Sequence, residues 1–224
     1  MALIATRYTY DFVTSNLPRG ATRILEVGCG DGALAALLQA DGLEVTAIDS
    51  DPEAVNAAIA TGIGARLATW PVPMDEKFDA ILFTRSLHHI HELDEAVGAA
   101  ARALRPGGRI IVEDFRAEGG SQRSADWFAD LARSLIADGA LEASLDELTE
   151  KLAPADHDLH ASSTIAGTLR GFEVEATDAA YYFRFLEPHL RRPYMAQALL
   201  DQELALIDAG AIDPLGKRFV ASDS

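Results

Sequence analysis

The chain has 224 residues, 49% of them hydrophobic, and 35 acidic against 19 basic side chains give a formal net charge of −16. That balance fits an ordinary soluble globular protein and excludes the basic footprint that nucleic acid or an anionic membrane surface requires. The single cysteine, Cys29, excludes an intrachain disulfide and is compatible with a reducing compartment.

The opening MALIATRYTYDF lacks the basic start and apolar run of a secretory leader. No apolar run approaches the roughly 20 residues of a bilayer span, so a cytoplasmic location is expected. RILEV, 23–27, reads as a buried strand. After the glycines of LEVGCGDG comes a helix with Leu34, Leu37 and Leu38 on one face and Gly42 at its end. LEVTAI, 43–48, is the second strand. Asp51 as N-cap and Pro52 at the first helical position then open a helix that runs to Ala60. ARLA (65–68) and FDAILF (78–83) are the third and fourth strands. A helix over HELDEAVGAAARAL stops at RPGG, 105–108, before a fifth strand, RIIVEDF, 109–115. Continuous apolar strands that alternate with helices predict a doubly wound, mostly parallel sheet.

The pattern changes after residue 115. Helices are expected near 124–138 and 144–152, the second opening with a Ser144 and Glu147 capping box. The loop APADHDLHASS and another helix ending at Gly171 follow. FEVEATD and KRFVAS are the last two of seven strands, flanking a helix over 194–209. YYFRFLEP is too short to assign. Residues 116–170 read as a helical cap inserted after the fifth strand.

Gly28, Gly30 and Gly32 fall within five residues between a strand and a helix. Such turns serve sharp bends or close approach to a ligand, in the place where open α/β sheets bind theirs. A dinucleotide is one candidate. The third glycine comes one residue early for that fingerprint, however, and Glu26 and Asp31 repel a diphosphate while favouring a cation. S-adenosylmethionine, with a sulfonium, an ammonium and no phosphate, fits better.

ILEVGCGDG resembles the first motif of the class I S-adenosylmethionine-dependent methyltransferases, small-molecule type. AIDSDPEAV (47–55), FDAILFTRSLHHI (78–90) and LRPGGRIIVEDF (104–115) resemble their later motifs, in order. The match is close over 20–115 and looser beyond. The resemblance implies the seven-stranded Rossmann-like methyltransferase fold, with 1–20 as an N-terminal helical lid, 21–115 as the cofactor-binding core and 171–224 as closing strands and C-terminal helix. It implies that Glu26 faces the methionine ammonium and that Gly28, Cys29, Gly30 and Gly32 give close backbone. Asp49 would take both ribose hydroxyls, which suits a carboxylate able to accept two hydrogen bonds. Ser50 would border the adenine, and Thr84 and Arg85 would line the methionine end. Where many relatives have an acid reaching the adenine amino group, this chain has Thr69 and Trp70. Cys29 reads as a small filler in preference to a reactive thiol, and Trp70 reads equally as ordinary core.

Methyl transfer needs a nucleophile in line with the carbon–sulfur bond and, for some acceptors, a base. Candidates are His88, His89 and Asp114, with His91 and Glu113 beside them in sequence and His157, Asp158 and His160 in the cap. No metal is expected, because the histidine spacing matches no ligand pattern. The expected partner is a small-molecule methyl acceptor, giving S-adenosylhomocysteine as product, in a monomer or homodimer. Tyr181, Tyr182, Phe183, Phe185, Trp127 and Phe128 suggest apolar pocket walls. A catalytically silent cofactor-binding protein and an NAD(P)-dependent oxidoreductase are the competing readings.

Overall fold

A computed structural model describes residues 2–116, 119–152 and 160–223. His157 and Asp158 lie outside the described residues. Seven strands form one sheet: β1 (Arg23–Val27), β2 (Glu44–Asp49), β3 (Ala65–Leu67), β4 (Phe78–Thr84), β5 (Leu104–Phe115), β6 (Glu173–Ala179) and β7 (Gly216–Ser222). Their order is β3-β2-β1-β4-β5-β7-β6. β7 runs antiparallel to both its neighbours, while the remaining pairs are parallel. The doubly wound, mostly parallel expectation holds, with the exception at one edge.

The side-chain alternation of each strand decides which helices cover which face. Ile24, Ala80, Leu82 and Ile111 pack with Val13 of α1 (Ile4–Asn16) and with Leu34 and Leu38 of α2 (Ala33–Ala40). On the same face Ala47 packs with Val55 and Ala58 of α3 (Pro52–Ala60). Leu25, Val27, Ile81, Phe83, Ile110 and Val112 point the other way. They meet α4 (Leu93–Ala103) and, through Ile165 and Leu169, α7 (Ser162–Thr168) with the turn after it.

A second apolar cluster lies apart from the sheet. It joins Phe128, Ala132 and Leu135 of α5 (Gln122–Ala137) and Leu148 of α6 (Leu145–Glu150) to α8 (Tyr182–Leu186) and α9 (Met195–Asp208). Thus α7 packs on the sheet, while α5 and α6 share a core with the C-terminal helices. The unassigned YYFRFLEP is α8 followed by a 3₁₀ turn, Glu187–His189. A carboxylate from another element supports this short helix. Glu203 of α9 is fully buried and accepts the N–H groups of Tyr181, Tyr182 and Phe183 at 2.5, 3.0 and 2.8 Å.

The helix starts follow the local chemistry. Asp51 accepts the N–H of Glu53 with Pro52 at N1, and Ser144 accepts the N–H of Glu147 at 3.1 Å. RPGG differs from expectation. It is no loop but an irregular start to β5, which pairs Leu104 with Phe78 and then shifts register before Ala80. A Cβ on Gly108 would stand 2.9 Å from the Arg105 carbonyl, so this bulge depends on glycine.

Candidate functional site

Strand order reverses between β1 and β4, where open α/β sheets carry their ligand crevice. Two cavities of 640 and 550 Å³ meet there and share Gly28, Gly30, Thr84 and Arg85. Together they form one trough across the glycine turn.

The three glycines have different reasons. Gly28 (φ +76°) passes so close to Ser86 that a Cβ would lie 2.4 Å from the serine Cβ. Ser86 in turn donates to the Val27 carbonyl at 2.6 Å, pinning the end of β4 to β1. Gly32 (φ +75°) packs on α3 and the turn after it, where a Cβ would meet Ala58 and Ile63 at 3.0 Å. Gly30 (φ +56°) has nothing within 4 Å of its would-be Cβ and lines both cavities. Of the three, it is the one that leaves space for a ligand.

The first cavity is lined by Asp49, Ser50, Thr69, Trp70 and His89, with Asp51, Glu92 and Glu95 adding negative charge. Asp49, at the end of β2, accepts the N–H of Gly30 at 2.8 Å and of Asp51 at 2.9 Å, one on each oxygen. Both oxygens keep a lone pair for a ligand. Ser50 and Thr69 are exposed. Trp70 is at once wall and core: it is buried, edge-on to Phe83, and donates its indole N–H to the Ala96 carbonyl at 3.1 Å.

The second cavity lies against α1. Glu26 on its wall is 1% exposed, and its Oε2 has no hydrogen-bond partner. Burial pushes this carboxyl up to about 8, with the Asp31 and Asp49 charges adding and Arg85 opposing. A buried carboxyl oxygen without a partner on a cavity wall suits a cationic donor from a ligand. Asp31 stands beside Glu26 on the same wall, while Arg85 and Arg184 line the far side of the cavity. Cys29 lines the same cavity. Burial first, then the charges of Glu26 and Asp49, push its thiol up to about 12, so it stays neutral.

Thr84 is buried at the junction of the cavities. Arg85 follows it with φ +63°, a conformation rare outside glycine, and its N–H donates to the Glu113 carbonyl at 2.7 Å. His88, His89 and Asp114 come together in space, but in unlike settings. Asp114 is fully buried and accepts the backbone N–H groups of His88 at 3.2 Å and Phe115 at 3.0 Å. His88 is buried with Nδ1 2.5 Å from Asp114 Oδ1, a contact without hydrogen-bond alignment, and it lines neither cavity. The exposed His89, whose ring lies 4.0 Å from that of His88, lines the first cavity with His91. His160 is a tether: its Nε2 donates to the carbonyls of Ile90 (3.0 Å) and His91 (3.2 Å). Among the described residues no group of three or more His, Cys, Asp or Glu side chains could hold a metal ion.

Sequence reasoning missed the partners of Glu113. This fully buried acid stands opposite Arg218 on the neighbouring strand, whose Nε and Nη2 donate to Oε2 at 2.8 and 2.5 Å. Its Oε1 takes Arg184 at 2.7 Å and Thr9 of α1 at 2.5 Å, with Arg85 3.5 Å away. Burial opposes the ionisation of Glu113, yet Arg184, Arg218, Thr9 and Arg85 together hold it below its ordinary value. Arg218 also lies over the rings of Tyr8 and Phe12, at 4.0 and 4.5 Å. The signal was one arginine inside the apolar run YYFRFLEP, since a charge in such a run needs a partner.

The chain matches, over residues 5–148, the family described as a methyltransferase domain. A ubiquinone biosynthesis O-methyltransferase of Xylella fastidiosa is 35% identical over 115 residues, covering 46% of this chain and 45% of that protein. The chain thus spans about half the length of the curated relatives it matches. The fold is similar to an S-adenosylmethionine-dependent methyltransferase from Archaeoglobus fulgidus, with 12% identity, TM-score 0.61 and coverage of 98% and 93% of the two chains. It is also similar to the plantazolicin methyltransferase BpumL in complex with S-adenosylhomocysteine, with 16% identity, TM-score 0.58 and coverage of 98% and 82%.

Proposed function

Because the chain belongs to the class I S-adenosylmethionine-dependent methyltransferases, we propose that it transfers a methyl group from S-adenosylmethionine to a small-molecule acceptor. When bound, that cofactor supplies a methyl group already activated by its sulfonium. What remains for the protein is to bind, orient and keep out water.

Glu26 pairs with the cofactor's ammonium. Gly30 gives the close backbone approach, with Gly28 and Gly32 holding the shape of the turn and Cys29 filling the wall beside it. Asp49 takes the ribose, while Ser50, Thr69 and Trp70 border the adenine in the first cavity. Thr84 and Arg85 lie at the junction, where the methionine end and the acceptor meet. His89 takes the acceptor's proton on a ring nitrogen when the acceptor is a hydroxyl or an amine. His88 and Asp114 hold the turn that carries it and act as positioning residues. As the lid, α1 closes the second cavity together with α8, whose Arg184 and Phe185 line it.

The observation that carries the reading is the buried Glu26 carboxyl, its Oε2 without a partner, on a cavity that opens at Gly30. Supporting the small acceptor is the second cavity of 550 Å³ against α1, walled by Tyr181 and Phe185. The formal charge of −16 opposes nucleic acid, and no helix among the described residues is long and apolar enough to cross a membrane. Methyl-labelled S-adenosylmethionine, incubated with the protein and a size-fractionated cell extract, tests the reading. Label entering the low-mass fraction supports it. Label entering protein or nucleic acid, or no fraction at all, contradicts it.

A further inference from the structure

The second cavity has two unlike ends. Its acids, Glu26 and Asp31, flank the glycine turn, whereas Arg85 and Arg184 reach it from the junction and from α8. Behind these arginines stands one ionised carboxylate, Glu113, shared among Arg85, Arg184 and Arg218. Arg85 is 41% exposed, but Arg184 and Arg218, at 7% and 10%, are two buried guanidiniums on one acid and leave one positive charge in excess. Unpaired buried charge is costly, so such an excess calls for an anion.

The donor inventory of Arg184 points the same way. A guanidinium has five N–H donors. Arg184 spends three: Nη1 on the Ala5 carbonyl at 3.1 Å, and Nη2 on Thr9 at 2.9 Å and Glu113 at 2.7 Å. Its Nε has no partner. Around it are aromatic walls, Tyr181 with its ring centroid 5.5 Å from the guanidinium carbon, and Phe185 5.5 Å from Tyr181.

We propose that Arg184 selects an acceptor that is an aromatic carboxylic acid, its carboxylate drawn to the arginine end of the second cavity and its ring held against Tyr181 and Phe185. This deepens the small-molecule methyl-transfer reading and rests on it. Arg85, at the junction, is left to the methionine end of the cofactor, whose own carboxylate neutralises the second positive charge. Carboxylate recognition by a partly desolvated arginine discriminates strongly against an uncharged analogue of the same shape, by about tenfold or more.

The test is calorimetric titration of the protein saturated with S-adenosylhomocysteine, using 4-hydroxybenzoate and 4-hydroxybenzamide as a charged and uncharged pair. The benzoate is expected to bind at least about tenfold more tightly, a preference that Arg184→Gln abolishes and Arg184→Lys retains in part. Equal binding of the two, or binding of neither, overturns the proposal. A fall in S-adenosylmethionine affinity in Arg184→Gln equal to the loss of benzoate preference assigns the arginine to the cofactor's carboxylate and also overturns it. Should Arg184→Gln not fold, the wild-type preference and the Arg184→Lys variant decide. Failure of the wild-type protein to bind S-adenosylhomocysteine at all is a different result, and it removes the underlying methyl-transfer reading.

Discussion

Glu26 gives the sharpest quantitative consequence of the site. Its carboxyl, pushed up to about 8 by burial, is mostly protonated at pH 7. A ligand ammonium pairs with the ionised form, so binding must expel that proton. Calorimetry at pH 7 in buffers of different ionisation enthalpy is expected to count a net release of most of one proton per S-adenosylmethionine bound. The affinity rises about tenfold per pH unit between pH 6 and 7, where an α-amino group is still mostly charged. In Glu26→Gln the proton count falls to zero and the affinity becomes flat over that range. The ligand-free protein carries the same signature with the opposite sense. Between about 4.5 and 8 the folded chain holds a proton that the unfolded chain has lost, so stability falls as pH rises through that window. Glu26→Gln removes that part of the slope, read from denaturation midpoints at pH 5 and pH 8. A wild-type proton count near zero, with pH-independent affinity, refutes the reasoning, because Glu26 is then ionised beforehand or does not meet the ammonium.

The glycine turn separates folding from binding. Gly28→Ala forces a Cβ to within 2.4 Å of Ser86 at positive φ, and a large drop in melting temperature is expected. Gly30→Ala meets no neighbour, so it costs only the left-handed backbone penalty, about 1–2 kcal/mol, and folds while binding S-adenosylmethionine more weakly. If both variants bind like wild type, the turn is not the cofactor's cradle. Glu113→Gln strips the counter-ion from Arg184 and Arg218, a loss of about 3–5 kcal/mol in denaturant unfolding, whereas a change below about 1 kcal/mol shows the network to be incidental. Glu187 accepts the N–H groups of Ile4 and Ala5 at 2.6 and 2.8 Å, capping α1 from another element. Glu187→Ala is expected to speed hydrogen exchange in Ile4–Asn16 at a cost of about 1 kcal/mol, and unchanged exchange there removes the role assigned to this cap.

The sheet was legible because its central strands are apolar runs, as in β1 and β4, and its helix starts carry local caps, as at Asp51 and Ser144. Those signals lie within a few residues of one another. What lay hidden depends on distant partners. RPGG is a bulge and no turn because Leu104 pairs with Phe78, a register that the stretch 105–108 does not encode. That the motif holds glycines was plain, but which one faces empty space is set by Ser86, Ala58 and Ile63. His88 and His89 are adjacent in sequence, yet one is buried on Asp114 and the other lines a cavity, a difference made by the 3₁₀ turn they share. The Glu113 cluster gathers Thr9, Arg85, Arg184 and Arg218 from four separate elements, beyond the reach of any local pattern.

The central claim is that the trough across the glycine turn holds S-adenosylmethionine. Calorimetric titration with S-adenosylmethionine and with NADH, on the wild type and on Asp49→Ala, tests it most directly. The account predicts micromolar binding of S-adenosylmethionine alone, lost in the variant. Binding of NADH instead, or S-adenosylmethionine binding that survives the loss of Asp49, would contradict it.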